Sequence, residues 1–515
     1  MRQPRVFLIG AGPGDPGLIT VRGLECLRRA DVVLHDHLVH ERLLRHARPG
    51  AEVIDVGTAA PQPMAQEAIC YLLAEKAREG RVVARLKWGD PFVFDRGGEE
   101  ALFLHEQGVA FEVVPGIPAG IGVPAYAGVP VTYPGGGDTL TMVRGYEDES
   151  RTIPDVDWAS IARLEGTVVC YAGAQQLPRI LDALVVNGWA PETPAAIVYN
   201  GTQTSQVTLA GTLAELLGEL EANPRGRAAV LVAGRVARFR DHLRWFDERP
   251  LFGRRVLVTR PREQAAELCD ALAALGAEAI EAPMIRIVPP EDPGPLQDAA
   301  SRAGEFDWIV FTSGNAVQAF MDALFAGGQD VRALKGPKLC AVGSGTAEKL
   351  AGWHLKVDLV PPEFKAEGVA GTLAAQGSLK GARVLLPRAD IGREVVLEDL
   401  RKAGAAVTDV VAYRTLIDDP QRDGEPDIYG MLLERTIDVV TFTSGSAVRN
   451  FARVYGEEQA ADLLRRTAVA AIGPVTAHAA EQLGIQVSIQ PSPYTIPALV
   501  DAIAAHFAAT AGKIA

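Results

Sequence analysis

The chain has 515 residues, too many for one hydrophobic core and enough for about three or four domains. Hydrophobic residues make up 48% and charged residues 22%, the balance of a globular enzyme, which excludes wholesale disorder. The net charge of −13 argues against nucleic-acid binding, which needs a basic face to neutralise phosphates. An anionic small molecule stays open, because local arginines and backbone N–H groups hold anions inside acidic proteins.

In chain order, Arg5–Ile9, Val32–His35, Val82–Leu86 and Phe111–Val114 are predicted strands. Gly17–Arg29, Met64–Glu79 and Gly97–Gln107 are predicted helices. This alternation indicates α/β layers. After the first strand comes Gly10-Ala11-Gly12-Pro13-Gly14-Asp15-Pro16. Asp15 and the two prolines separate it from a dinucleotide-binding turn, and alone it reads equally well as a tight glycine turn. The turn-rich stretch Pro115–Pro134 precedes a second block with predicted strands Thr139–Arg144, Thr167–Tyr171, Ala195–Tyr199 and Ala228–Val232. The first half is therefore placed at 1–240, with subdomains of about 1–114 and 115–240. Residues 241–252, charged and Trp/Phe-bearing, are the predicted linker, and 253–515 the second half.

No apolar run reaches the ~20 residues of a membrane span, and Val6–Ile9 is broken at once by Gly and Pro. Neither a membrane segment nor a secretory leader is expected. Cys26, Cys70, Cys170, Cys269 and Cys340 are scattered, with no C-x-x-C pair. They read as core thiols in a reducing, cytoplasmic setting. The spacing of His35, His37, His40 and His46 fits no zinc pattern, so no metal is expected.

The second half repeats itself. Val256–Arg260 matches Val384–Arg388, Phe311–Val317 matches Phe442–Val448, and Ala341–Gly343 matches Ala471–Gly473. The offsets are 384 − 256 = 128, 442 − 311 = 131 and 471 − 341 = 130. Near-constant offsets imply two copies of one α/β unit facing each other. Each copy ends apolar strands in Thr-Ser-Gly or Gly turns, whose N–H groups suit carboxylates.

The run Leu86–Glu100, which contains Gly89-Asp90-Pro91-Phe92-Val93-Phe94, is more specific than the first loop. Together with Val113–Ile117 and Asn200–Gln203 it resembles the tetrapyrrole methylases, and among them the uroporphyrinogen-III C-methyltransferases. The resemblance implies a two-domain α/β fold with S-adenosylmethionine in the cleft. It implies cofactor contacts at Pro13, Gly89, Asp90, Val93, Ala119, Ala172 and Gly201. It implies methylation of uroporphyrinogen III at C2 and C7 to precorrin-2, without a metal, and a homodimer. Electron-rich pyrrole carbons attack a sulfonium methyl, so positioning supplies much of the rate. Asp36 matches the family's proton acceptor, and reads equally as a helix cap. Arg96 and Glu99 match substrate-binding positions, with a surface ion pair as the competing reading. The chain departs from the family at Thr58 (usually Lys, the proposed proton donor), Trp88 and Asp95 (usually Gly), Tyr133 (usually His) and Ala172 (usually Met).

The order Val258–Arg262, Phe311–Gly314, Ala341–Ser344, Leu386–Arg388, Ala412–Thr415, Phe442–Gly445 and Ala471–Thr476 resembles uroporphyrinogen-III synthase. That family closes hydroxymethylbilane to uroporphyrinogen III. The resemblance implies a duplicated two-domain fold of about 253–288 plus 415–510, with 289–413 inserted. It places Tyr413 at the hinge, with a role in loss of the substrate hydroxyl, and an ordinary hinge tyrosine is the alternative. A phenol can donate a hydrogen bond to a departing hydroxyl. Ser313, Ser344, Ser444 and Thr476 are candidate carboxylate donors at strand-end turns, and Arg260 and Lys365 candidate anchors. None of the serines has an adjacent His-Asp pair, so no serine nucleophile is expected.

The expected whole is a bifunctional enzyme that makes uroporphyrinogen III in its C-terminal half and methylates it in its N-terminal half. Two alternatives stand beside it. One is an active synthase with a non-catalytic module that binds tetrapyrrole or cofactor. The other is a methylase acting on another early corrinoid.

Overall fold

The computed structural model describes residues 5–57, 63–136, 138–145, 155–223, 228–361, 368–390, 395–418 and 426–511. The chain forms two compact units, one of Met1–Arg254 with Ala274–Glu278, the other of Arg255–Ala273 with Ala279–Ala515.

The first unit opens with β1 (Val6–Gly10), β2 (Val32–His35), β3 (Glu52–Asp55), β4 (Val83–Lys87) and β5 (Phe111–Val114). They form one parallel sheet in the order β3-β2-β4-β1-β5. β1, β2 and β4 are buried throughout. In β1 and β2 this follows from near-continuous apolar runs covered on both faces, as parallel sheets require, whereas β4 also buries Arg85 and Lys87. Helices supply the crossovers. Val21–Arg28 is started by Thr20, whose hydroxyl accepts from Gly23 N–H.

The second block contains β6 (Leu140–Gly145), β7 (Thr167–Ala172), β8 (Pro194–Tyr199), β9 (Val207–Thr212) and β10 (Ala229–Ala233). Their order is β6-β7-β10-β8-β9, parallel only between β6 and β7. The predicted linker is not a free strap. Trp245 Nε1 donates to the Ala125 carbonyl at 3.0 Å. Phe246 is buried against Tyr126, and Arg240 pairs with Asp247.

The second unit holds two sheets. β11 (Arg255–Val258), β12 (Glu278–Glu281), β18 (Val439–Phe442) and β19 (Ala468–Ala471) run in the order β12-β11-β18-β19. β13 (Ile285–Val288), β14 (Trp308–Phe311), β15 (Lys338–Ala341), β16 (Arg383–Ala389) and β17 (Ala406–Ile417) run β13-β17-β16-β14-β15. The parallel triplets β11-β18-β19 and β16-β14-β15 repeat one another in order and direction. The isolated bridges Cys340–Leu359 and Ala470–Ile489 share an offset, since 470 − 340 = 130 and 489 − 359 = 130. The internal repeat in sequence is thus a repeat in space.

β13 and the whole of β17 lie on the second of these sheets, paired antiparallel from Ile285–Ile417 to Val288–Arg414. The chain therefore changes sheets at Met284 and Asp418, where Asp418 N–H donates to the Met284 carbonyl at 3.3 Å. Both crossings are one short segment from the expected positions at 288 and 415. The added antiparallel pair keeps both strands on the inserted sheet.

Candidate functional site

In the first unit, strand ends and the loops after them converge. Gly12 and Gly89 exchange backbone hydrogen bonds at 3.2 and 2.9 Å. A Cβ on Gly116 would lie 2.2 Å from the Gly89 carbonyl oxygen and 2.6 Å from Gly10 Cα. The three loops after β1, β4 and β5 are therefore packed backbone on backbone. Asp90 locks them, accepting from Phe92 N–H at 2.8 Å and Gly116 N–H at 2.9 Å. Neither neighbour can yield by a rotamer change, so Gly116→Ala is expected to destabilise the first unit by about 1–3 kcal/mol. Urea unfolding of the full chain checks it.

The second block is drawn to the same place. Asp15 N–H donates to Thr202 Oγ1 at 3.0 Å, and Tyr126 OH donates to Asp15 Oδ2 at 2.7 Å. Pro13 packs on Gly122, where a Cβ would meet its ring at 2.8 Å, and Gly201 packs on Val123. Tyr171 OH accepts from Gly120 N–H at 2.7 Å, and its ring meets Phe94 edge-on at 5.1 Å. Phe94, Asn200 and Thr202 all have positive φ, backbone strain of the kind that collects where ligands bind. Pro13, Gly89, Asp90, Val93, Ala119 and Gly201 thus share one set of interlocked loops. Ala172, buried at the end of β7, adjoins it through Tyr171. A Cβ on Gly89, where φ is +72°, would meet only main chain in ordinary contact, Ala119 N at 3.8 Å and Pro118 Cα at 3.9 Å.

Beneath the loops lies a buried ion cluster. Arg85 and Lys87 are neighbours on one face of β4, each 2% exposed. Arg85 reaches Asp36 Oδ1 at 2.5 Å and Glu100 Oε1 at 3.1 Å. Lys87 reaches Glu100 Oε1 and Asp95 Oδ1, each at 3.0 Å. Gln66 also donates to Glu100 Oε1, at 3.1 Å. Asp36 Oδ2 accepts from Trp88 N–H at 3.0 Å. Burial pushes the Asp36 carboxyl up, but Arg85, Lys87 and the Trp88 N–H outweigh it and hold it below the usual range. Asp36 is thus an anchored anion at the end of β2 and not a helix cap.

Arg96 and Glu99 pair with each other at 2.6 Å on the exposed start of helix Gly97–Glu106. Trp88 packs on the apolar cluster of the second block, so its bulk fills space between the blocks. Thr58 and Lys365 lie outside the described residues. Sequence reasoning passed over Arg85, Lys87 and Glu100. The available signal was two cations spaced by two in an apolar strand, which puts both on one face.

In the second unit, Ser313 caps helix Gly314–Ala326 and Ser444 caps Gly445–Tyr455, each accepting at 3.2 Å from the N–H three residues on. Ser313 Oγ also lies 3.0 Å from Tyr413 OH. Tyr413 is the last β17 residue paired with β16, opposite a register shift at Arg388/Ala389, and Arg414 is the first paired with β13. It sits ahead of the crossing, buried in the core of the inserted sheet. Asp409 grips Arg388 bidentately at 2.6 and 2.8 Å and fixes that register.

Ser344 is exposed at the start of its helix, whereas Thr476 is 5% exposed. Under the repeat, Thr476 matches buried Thr346 (476 − 346 = 130), and Ser344 matches Pro474. The two are not equivalent positions. Arg260 carries a buried Nε with no partner and no ion pair among the described residues, and burial lowers its pKa. Its terminal nitrogen faces Gln264 at 3.4 Å, and Gln264 donates to Asn315 at 2.7 Å, which ties the two sheets of this unit together.

Among the described residues, no helix is long and apolar enough to cross a membrane.

The family model for tetrapyrrole (corrin/porphyrin) methylases matches residues 5–217. That for uroporphyrinogen-III synthase HemD matches 266–501. A porphyrin biosynthesis protein HemD of Ruminiclostridium josui is 35% identical over 97% of this chain and 98% of its own length. A uroporphyrinogen-III C-methyltransferase of Bacillus subtilis is 36% identical over 72% of this chain and 76% of its own. An S-adenosyl-L-methionine-dependent uroporphyrinogen III methyltransferase of Methanosarcina barkeri is 40% identical over 46% of this chain and 94% of its own. With both halves matched in one polypeptide, the chain belongs to the tetrapyrrole methylases over its first half and to the uroporphyrinogen-III synthases over its second, and is a bifunctional enzyme of tetrapyrrole biosynthesis.

Proposed function

We propose that the C-terminal half closes hydroxymethylbilane to uroporphyrinogen III and that the N-terminal half methylates this product at C2 and C7 to precorrin-2. The observation that carries the methylation is Asp36, an anchored anion at a strand end beside the interlocked loops. S-adenosylmethionine, when bound, supplies an electrophilic methyl group. Pro13, Gly89, Val93, Ala119, Ala172 and Gly201 would hold it. Asp90 acts by fixing the loops, since both its oxygens are engaged by backbone N–H groups. Methyl transfer to a pyrrole carbon leaves the macrocycle positively charged. Asp36, already ionised and held by Arg85 and Trp88 N–H, would stabilise that charge without reorganising, which is how preorganised charge lowers a barrier. Arg96 can leave Glu99 for a carboxylate of the macrocycle, exchanging one exposed ion pair for another.

In the synthase half, the Ser313 and Ser444 turns and Ser344 offer donors to substrate carboxylates. Tyr413 OH, oriented by Ser313, donates to the departing hydroxyl. Arg260 is the anchor, a cation without a carboxylate of its own among the described residues. Arg260→Met is expected to raise the KM for hydroxymethylbilane about tenfold or more, the value of a charge-assisted hydrogen bond. Steady-state kinetics of type III product formation check it. The methylation itself is tested with uroporphyrinogen III and S-adenosylmethionine carrying a 13C-labelled methyl group, under anaerobic conditions. Label at C2 and C7 by NMR supports the reading, and label at other carbons overturns it. Tethering the halves raises the local concentration of the intermediate.

A further inference from the structure

The ion cluster sets three carboxylates, Asp36, Asp95 and Glu100, against two cations, Arg85 and Lys87. A surplus negative charge in a largely buried site is costly unless one carboxyl exchanges a proton. Hydrogen bonding and access together single out which. Both Asp36 oxygens are engaged, by Arg85 and by Trp88 N–H. Glu100 Oε2 also lacks a partner, but the residue is fully enclosed, beyond reach of a substrate. Asp95 sets Oδ1 on Lys87 and on Arg96 N–H, while its Oδ2 has no hydrogen bond among the described residues and its side chain is 21% exposed. It follows Phe94, which contacts Tyr171, and precedes the exposed Arg96–Glu99 pair. Asp95 thus stands between the loops expected to contact the cofactor and the Arg96–Glu99 pair proposed to meet the substrate.

We infer that Asp95 is a catalytic residue of the methylase half, the group that takes the proton displaced by methyl transfer while Asp36 stays ionised beside it. The inference rests on the methyl-transfer reading above. As the new C–C bond forms with a ring electron pair, the S–C bonding pair goes to sulfur and the macrocycle gains one positive charge. A hydrogen of the ring system then leaves as a proton to Asp95 Oδ2. Its bonding pair returns to the ring, so the macrocycle and Asp95 both end neutral. The exposed side of Asp95 returns the proton to solvent. Burial raises the Asp95 carboxyl above its usual range, Lys87 opposes this and the charge of Asp36 adds to it. Asp36 is displaced the other way. Environments that push two carboxyls apart divide acid–base labour between them. Arg85, Lys87, Arg96, Glu99 and Glu100 are the other charged groups around the pair.

The test compares the full-length chain with Asp95→Asn, Asp95→Glu and Asp36→Asn, in kcat–pH profiles with uroporphyrinogen III and S-adenosylmethionine. Asp95→Asn is expected to lower kcat about 10²-fold and to flatten the acid limb. Asp95→Glu, which keeps the carboxyl, retains the limb. Asp36→Asn keeps the limb but moves it to lower pH, because the charge that lifts Asp95 is gone. A limb that persists in Asp95→Asn, or vanishes in Asp36→Asn, overturns the assignment. Binding of S-adenosylhomocysteine by calorimetry verifies that the variants fold. A second arm needs no turnover. The infrared difference between the wild-type chain and Asp95→Asn should contain a carboxyl band titrating above the ordinary aspartate range. An active chain without that band overturns the role of Asp95 alone. A chain with the band that transfers no methyl overturns the methyl-transfer reading, and the catalytic role with it.

Discussion

Arg85→Met is expected to lower the stability of the first unit by about 3–5 kcal/mol, the cost of removing one partner from a buried ion pair. The arginine is 2% exposed and serves Asp36 and Glu100 together. Without it, three carboxylates face Lys87 alone. Methionine preserves most of the volume, so the loss reports charge rather than a cavity. Against a typical total of about 5–15 kcal/mol, that is a large fraction. Glu100→Gln should cost far less, because it leaves two carboxylates with two cations. The deficit of Arg85→Met also has a pH signature. Asp36 is held below its usual range, so it contributes stability above its unfolded pKa that is lost as pH falls. The deficit should therefore narrow in acid. Denaturant unfolding of wild-type chain and both variants, at neutral and acid pH, checks each part.

Tyr413→Phe is expected to lower the synthase kcat about 10²-fold, the lower end for loss of a proton-donating group, and to leave methyl transfer from supplied uroporphyrinogen III unchanged. The ring is buried in the core of the inserted sheet and phenylalanine keeps it. Only the hydroxyl, 3.0 Å from Ser313 Oγ, is lost. The stability cost should stay near about 1 kcal/mol, the net worth of one hydrogen bond. Ser313→Ala tests the orienting role, and should lower kcat less than Tyr413→Phe because the phenol survives. A stopped assay that separates type I from type III product reads both variants, since spontaneous closure gives a different isomer.

Much of the fold was legible because central parallel strands are apolar on both faces. Val6-Phe7-Leu8-Ile9 and Val32-Val33-Leu34 declare themselves. Two of the edge strands in the first unit do not. β3 (Glu-Val-Ile-Asp) and β9, with exposed Val207, face solvent on one side and carry no such run. Asp36 was legible as chemistry but not as geometry, because its partners Arg85 and Trp88 lie on β4 and just after its end. Sequence spacing does not show which strand ends are neighbours. The β2-β4 adjacency decides that, and it skips β3. Thr476 and its counterpart Thr346 are both enclosed, at 5% and 7% exposure, which the short motif around them does not show.

The measurement that tests the central claim most directly is anaerobic incubation of the full-length chain with hydroxymethylbilane and S-adenosylmethionine, followed by mass analysis of the tetrapyrrole. A type III macrocycle carrying two added methyl groups is the expected product. Unmethylated uroporphyrinogen III would contradict the account and leave the N-terminal half a binding module for tetrapyrrole or cofactor.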